Sequence, residues 1–389
     1  MASLRNCKVR IDSIAEINPA RLDKSFRHLN IKYVDIGNVD RGCIKGFEEL
    51  RLEDSPSRAQ RLARDNDFII STVRPGNRSY AYIKTPDENM VFSTGFAVIR
   101  AIKCDPRYLY YVLTSDLTIN YLASIADSKS AYPSINPSDI GEIEISLPPL
   151  ETQREIAHIL GTLDDKIELN RKMSKTLEEM AQTLYKHWFI DFEFPNEEGK
   201  PYKSSGGEMI DSELGPIPKG WKVGTIGSVC TFEYGKSLKS DVRKFGKYPV
   251  MGSNGQIGWH NECLVHGPGV VVGRKGNPGA VTFVIENFFP IDTTFYVKSI
   301  STEIPMMFLY AVLSQSNLGR LSADSAVPGL NRDSALSKLI ILPRTDILHS
   351  YEWVTKSLFT MKKVATEQTS SLDSMLTRLM TSNISTDKE

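Results

Sequence analysis

Two stretches of the 389-residue chain carry apolar residues at seven-residue spacing, and both are long. In residues 151–195, Ile156, Leu163, Leu177 and Leu184 share one row with Asn170, and Ile159, Met173 and Met180 form the row beside it. From about 346 to 380, Val354, Met361, Gln368 and Met375 alternate with Leu358, Ala365, Leu372 and Leu379. Such rows predict coiled-coil seams. Asn170 and Gln368 are each either a register-setting polar residue or a solvated gap. Thr152 and Glu155, just after Pro148-Pro149, make a capping-box pattern. Gly161 is the one interior breaker before Pro195, so the first rod is expected to reach roughly 60 Å.

Outside the rods the pattern changes to short β-branched and aromatic runs broken by Gly, Pro and Asn, which predicts strands and turns. These bodies repeat. FIISTVRPGN at 68–77 resembles VVVGRKGN at 270–277, matching Arg74, Gly76 and Asn77 to Arg274, Gly276 and Asn277 at an offset of 200. LYYVL at 109–113 and LYAVL at 309–313 keep that offset. AYPSIN at 131–136 resembles AVPGLN at 326–331, and Leu147-Pro148 resembles Leu342-Pro343, both at 195. Four matches in one order at nearly constant offset point to an internal duplication. In each copy strands precede a short helix, at 105–116 with Asp105 as N-cap and Pro106 at the first helical position, and at about 304–313. A loop and a strand then lead through Leu-Pro into a rod.

The resulting map has a first body at 1–150, a long helix at 151–195, a linker rich in Gly, Pro, Ser and acid at 196–216, a second body at 217–345, and a second long helix with a C-terminal tail at 346–389. The expected fold class is α+β. Two strand-rich bodies alternate with two long helices that pair as an antiparallel coiled coil, giving a pseudo-two-fold internal repeat.

Charge refines this picture. The 47 basic and 47 acidic residues cancel, which excludes a polybasic binder held by bulk electrostatics. Their distribution is uneven: residues 1–150 hold 20 basic and 19 acidic, 217–345 hold 14 and 8, and 151–195 hold 6 and 9. In the second body Lys236, Lys239, Arg243, Lys244 and Lys247 cluster near Tyr234 and Tyr248, while Arg274, Lys275 and Asn277 sit in a Gly-flanked turn. The first body offers Arg58, Arg61 and Arg64, then Arg74, Asn77 and Arg78 around the matching turn, with Tyr132 and Ser134 in the repeated AYPSIN loop. Basic loop residues can reach phosphates, and Arg or Asn at a loop tip can read base edges, so these are candidate DNA contacts. The shared Gly and Asn are also explained by a turn that needs positive φ.

Five scattered cysteines (Cys7, Cys43, Cys104, Cys230, Cys263) without a CxxC pair suit reduced thiols. With no signal-peptide pattern and no apolar run of about 18 residues, a cytoplasmic protein is expected. The turn GRKGNPGAV satisfies neither GxGxxG nor GxxxxGK[ST], and the one Pro-Pro, in Leu147-Pro148-Pro149-Leu150, lacks the flanks of an amino-methyltransferase motif. His260, Cys263 and His266 lie on a hairpin pattern without a second cluster, so no metal site is expected. The chain reads as a recognition and scaffold protein without a catalytic centre.

LPPLETQREIAHILGTLDDKIELNRKM at 147–173, LYKHWFIDFEFP at 184–195 and ELGPIPKGWKV at 213–223 resemble the central region of type I restriction-modification specificity subunits. The second helix departs from the family pattern, opening LPRTDILHSYEW where a PLETQREIA-like segment is usual. The resemblance implies that each body is a target-recognition domain reading one half of a bipartite, asymmetric DNA site. It implies that the helices set the spacer and dock two modification (methyltransferase) subunits, which adenosine-triphosphate-dependent restriction subunits can join. S-adenosylmethionine, ATP and Mg would then sit on the partners, with adenine N6 methylation and DNA cleavage performed there. The alternative is a stand-alone regulatory or structural DNA-binding protein of the same fold.

Overall fold

The computed structural model describes residues 7–129, 133–322 and 329–384. Seven α-helices occur among them: α1 (Pro106–Thr114), α2 (Asp116–Lys129), α3 (Pro137–Gly141), α4 (Leu150–Tyr185), α5 (Met306–Gln315), α6 (Arg332–Leu336) and α7 (Thr345–Ile384). The chain forms two units, one from residues up to Arg171 with those from Glu367 onward, the other from Lys172–Thr366. Each long helix is thus divided between the units, where the sequence map gave the helices segments of their own.

The first unit is built on a four-stranded antiparallel sheet in the order Ala15–Ile17, Phe96–Ala101, Phe68–Ser71, Tyr80–Tyr82. All four residues of Phe68–Ser71 are buried, as expected of a central strand without polar alternation. One face of that sheet packs on α1, α2 and α4 through Phe68, Ile70, Leu109, Leu113 and Leu160. A second sheet, ordered Glu48–Arg51, Asn30–Val34, Met90–Ser93, Ala59–Arg61, contains one parallel pair, Asn30–Val34 with Met90–Ser93. A separate ribbon joins Cys7–Arg10 to Glu144–Leu147.

The second unit repeats this plan. Its main sheet runs Cys230–Tyr234, Thr294–Ser299, Gly269–Gly273, Val281–Val284, again antiparallel around a fully buried central strand. A three-stranded sheet, Gly255–His260, Tyr248–Gly252, Phe289–Pro290, again includes one parallel pair. Lys222–Thr225 pairs with Leu339–Leu342 as the counterpart of the first ribbon.

Asp105 caps α1 as its sequence predicts, accepting hydrogen bonds from the N–H groups of Arg107 and Tyr108. The capping box at Thr152 is a correction. The Pro149 carbonyl already accepts from Gln153 N–H, so α4 starts earlier and Thr152 lies inside its first turn. Gln153 does the local work, accepting from Asp105 N–H at 2.9 Å and donating to the Pro148 carbonyl at 2.7 Å. The helix ends in a π-turn at Lys186–Ile190, short of Pro195; its 36 residues span about 54 Å.

Within each unit the long helices run antiparallel. In the first, Ile156, Ala157 and Leu160 share a core with Leu376, Leu379 and Met380, while Asn170 Nδ2 donates to Gln368 Oε1 at 3.4 Å. In the second, Lys362 Nζ donates to Glu178 at 2.7 Å, and the Tyr351 hydroxyl donates to the Ala181 carbonyl at 3.4 Å. Leu177 and Asn170 are buried, and Leu163, Leu184, Val354, Leu358, Leu372 and Leu379 are half-buried. Two row assignments fail. Met361 is 57% exposed, and Ile159, Met173, Met180 and Met375 also face solvent. The inward positions of α7 are Leu348, Tyr351, Thr355, Phe359 and Ala365. The spacings of three, four and four from Leu348 to Phe359 keep close to 3.6 residues per turn, the step of six to Ala365 leaves that stripe, and Met361 lies about 200° around the helix from Phe359.

Residues 196–216 are also more ordered than a linker. Phe194 stacks on Tyr202 at 4.6 Å and on Trp221 at 5.0 Å, and Met209–Ile210 pairs with Ile217–Pro218. Gly, Pro and Ser dominated the composition, while the single Tyr202 anchors the segment.

Candidate nucleic-acid interface

In both bodies the central strand of the main sheet runs out into the repeated turn, and the loop after the short helices returns to close it. In the first, Arg74 N–H donates to the Pro133 carbonyl and Ile135 N–H to the Thr72 carbonyl, with Ser134 bridged to Val73. In the second, Leu330 N–H donates to the Arg274 carbonyl. Asn136 and Asn331 then stand at the N-caps of α3 and α6. Thus the sequence repeat reflects one construction: a strand end, a turn and a returning loop.

The turns themselves differ. In the first, positive φ falls on Arg74 (46°) and Arg78 (61°); in the second it falls on Gly276 (80°) and Gly279 (81°). The matched Gly76 and Asn77 therefore do not serve as left-handed residues. At Gly273 a Cβ would lie 2.1 Å from the Asn277 carbonyl, so this glycine is required by close approach of backbone.

The candidate contacts divide by how their side chains are engaged. Arg74, Asn77, Lys236, Lys244, Lys247 and Lys275 are exposed. Arg78 is ion-paired with Asp116, and Arg58 lies 3.7 Å from Asp35. Arg61 is half-buried beside Arg21, its Nε has no hydrogen-bond partner, and burial together with Arg21 lowers its pKa. Arg243 is turned inward, donating to the Ile257 carbonyl at 2.9 Å and the Leu238 carbonyl at 3.5 Å. Ser134 is half-buried. Tyr132, and the segment holding Val327 and Pro328, lie outside the described residues.

The second body gathers a group that the repeat alone did not single out. Arg274 donates through Nε and Nη2 to the Asp292 carbonyl at 3.2 and 2.9 Å, which lays its guanidinium over the Tyr234 ring at 5.2 Å. Arg332, first residue of α6, approaches the same ring at 5.6 Å. Tyr234 is half exposed at the end of its strand, with Lys236 two residues on. An exposed ring flanked by two guanidinium groups provides a stacking face and two directed cations, chemistry suited to nucleotides. The proximity of Tyr234 to the basic cluster was visible in sequence; Arg332 was not, because its contact depends on the returning loop.

Among the described residues, no three His, Cys, Asp or Glu side chains gather as a metal site, and no helix is long and apolar enough to cross a membrane. His260 instead ends a strand and accepts a hydrogen bond from Lys244 N–H at Nδ1.

The sequence profile described as type I restriction modification DNA specificity domain matches residues 8–179 and 218–347. The HindI type I restriction enzyme specificity subunit of Haemophilus influenzae is 35% identical over 167 residues, 42% of this chain and 36% of that protein. The MjaIX specificity subunit of Methanocaldococcus jannaschii is 38% identical over 131 residues, covering 33% and 28% respectively. The matched stretches therefore span well under half the length of these relatives. The crystal structure of a type I restriction-modification S subunit from M. genitalium superposes with a TM-score of 0.56 at 18% identity, covering 98% of this chain and 96% of that one.

Proposed function

The chain belongs to the type I restriction modification DNA specificity family, and from that premise we propose that it is the sequence-reading, non-catalytic subunit of a restriction-modification complex. Each body reads one half of a bipartite DNA site. The observation that carries this reading is the duplicated turn with its returning loop, which gives one chain two similar but chemically distinct recognition ends. The aromatic and guanidinium group around Tyr234 adds a nucleotide-facing surface in the second body.

The long helices set the spacer and dock methyltransferase subunits. The exposed Ile159 and Leu169 in the first unit's part of α4, and Met173 and Met180 in the second unit's part, support a docking role for each, since exposed large apolar side chains on a helix mark an interaction surface. S-adenosylmethionine, ATP and Mg belong to the partners on this reading, as do base methylation and cleavage, and the complex acts on cytoplasmic DNA.

The test is co-expression with a methyltransferase subunit encoded beside the gene, followed by genome-wide mapping of adenine methylation. One bipartite motif should appear, and exchange of the first body for that of a relative should change one half of it only. A motif unaltered by the exchange would overturn the assignment.

A further inference from the structure

The second body holds an aromatic side chain out in solvent on an anchored loop. Phe245 is fully exposed, at 101% of its reference area. Its loop runs beside the edge strand Gly255–His260, tied by Arg243 to the Ile257 carbonyl and by Lys244 N–H to His260 Nδ1. Gly246 lies so close to that strand's end that a Cβ would be 2.3 Å from the His260 carbonyl. The backbone on both sides of Phe245 is therefore held, and its projection is a property of the loop's anchoring. Arg243 Nε is buried without a hydrogen-bond partner, so the anchoring itself carries a desolvation cost.

The surroundings of this tip are apolar at the centre and cationic at the edge. Ile257 and Trp259, alternate residues of the adjoining strand, and Val242 on the loop are all exposed. Lys239, Lys244 and Lys247 are exposed on the same segment, against the carboxylates of Asp241 and Glu262. The hairpin formed by Tyr248–Gly252 and Gly255–His260 turns at Ser253, against which the Arg274 turn packs: a Cβ on Gly276 would lie 3.1 Å from Ser253 Oγ. One hairpin therefore carries the Phe245 loop at its open end and meets the basic turn at its other end. A partner with a polyanionic exterior and an apolar, stackable interior complements both features, and that describes duplex DNA.

We propose that Phe245 is a wedge that enters the base stack of double-stranded DNA, opening one step within or beside the half-site read by the second body. This rests on the DNA-reading function proposed above. Inserted apolar side chains partly unstack a step and bend the duplex, so the step's deformability becomes part of recognition without a base-edge hydrogen bond.

The experiment uses the full chain co-expressed with its methyltransferase subunit, and duplexes of the mapped site carrying 2-aminopurine at successive positions. The wild-type complex should raise 2-aminopurine fluorescence at a step distinct from the methylated adenine. Phe245→Ala should abolish that gain and weaken binding about tenfold, a loss within the range for one base–aromatic contact. Phe245→Leu, which retains an apolar wedge, should keep most of the gain. The proposal is overturned if Phe245→Ala unstacks the same step, or if no position besides the methylated adenine responds although the wild type binds. It is equally overturned if Phe245→Ala fails to co-purify with the methyltransferase subunit, which would make the patch a protein interface. A complex that methylates no bipartite site overturns the parent reading and the wedge together, whereas retained methylation with unchanged stacking overturns the wedge alone.

Discussion

The two units hold their shares of the long helices by different physical means. In the first, a group of ionic contacts adds to the apolar packing of Ala157 and Leu160. Arg107 donates to both Asp165 oxygens, at 2.6 and 3.0 Å, and to the Gly161 carbonyl at 2.9 Å, while Lys84 reaches Asp165 at 2.6 Å and Glu168 at 2.9 Å. Gly161 is part of this arrangement, since a Cβ there would lie 2.7 Å from the guanidinium carbon. In the second unit, aromatic rings dominate: Phe189 packs against Tyr351 at 5.0 Å and Phe308 at 5.3 Å, and Trp188 against Tyr351 at 6.0 Å. The duplication conserved topology and left the joint free to change. Ionic joints respond to salt and pH, whereas ring packing depends on volume.

The comparison can be broken most directly at Trp188. Trp188→Ala should cost about 3–5 kcal/mol in urea unfolding, with little dependence on salt. A loss under about 1 kcal/mol would show that the aromatic cluster is not what fixes this end of α4. At the recognition surface, Arg274→Ala should weaken binding at one half-site by about 1–3 kcal/mol if the guanidinium reads a base. Titrations against duplexes altered in each half decide this, since an equal loss on every sequence would make it a phosphate contact.

For the ionic joint, Arg107→Met should cost about 1–2 kcal/mol at low salt and visibly less in 1 M salt, as Asp165 is half exposed and can rehydrate. Unfolding curves at two ionic strengths separate this from a packing defect. The smallest effect concerns acid. Hydrogen bonds from Arg107, opposed by partial burial and helped by Lys84, hold the Asp165 carboxyl at about 2, against 3.8 ordinarily. Because the folded-state value is depressed, this contribution is present above about pH 4 and lost as pH falls toward 2. Solvent screening limits it to less than about 1 kcal/mol. Asp165→Asn should flatten the stability profile in that window, and an unchanged profile would remove Asp165 from the account. Asp164 runs the other way, with burial raising its pKa despite nearby Arg107.

The repeat was legible because paired elements retained Arg-Gly-Asn, Leu-Tyr and Leu-Pro at offsets of 200 and 195. The strand order behind it follows closely, including one parallel pair in each body. Heptad reading located the long helices and misplaced part of their faces. Ile159 and Met361 are apolar and correctly spaced, yet Leu160 and Phe359 are the buried residues. Spacing alone cannot choose between adjacent apolar rows when a helix must also pack on a globular body. Among the candidate contacts, the inward turn of Arg243 and the approach of Arg332 to Tyr234 depend on loops that meet only after folding.

The ordered segment after α4 bears on how such genes can be recombined. Trp188, Phe189, Phe192 and Phe194 all belong to the core of the second unit, together with Trp221. A crossover at Asn196, where composition suggests a neutral seam, would graft one parent's rings onto another parent's core. Crossovers between Arg171 and Lys172, and between Thr366 and Glu367, would instead exchange each core with the helical segments that complete it. Productive chimaeras should therefore be joined within the helices.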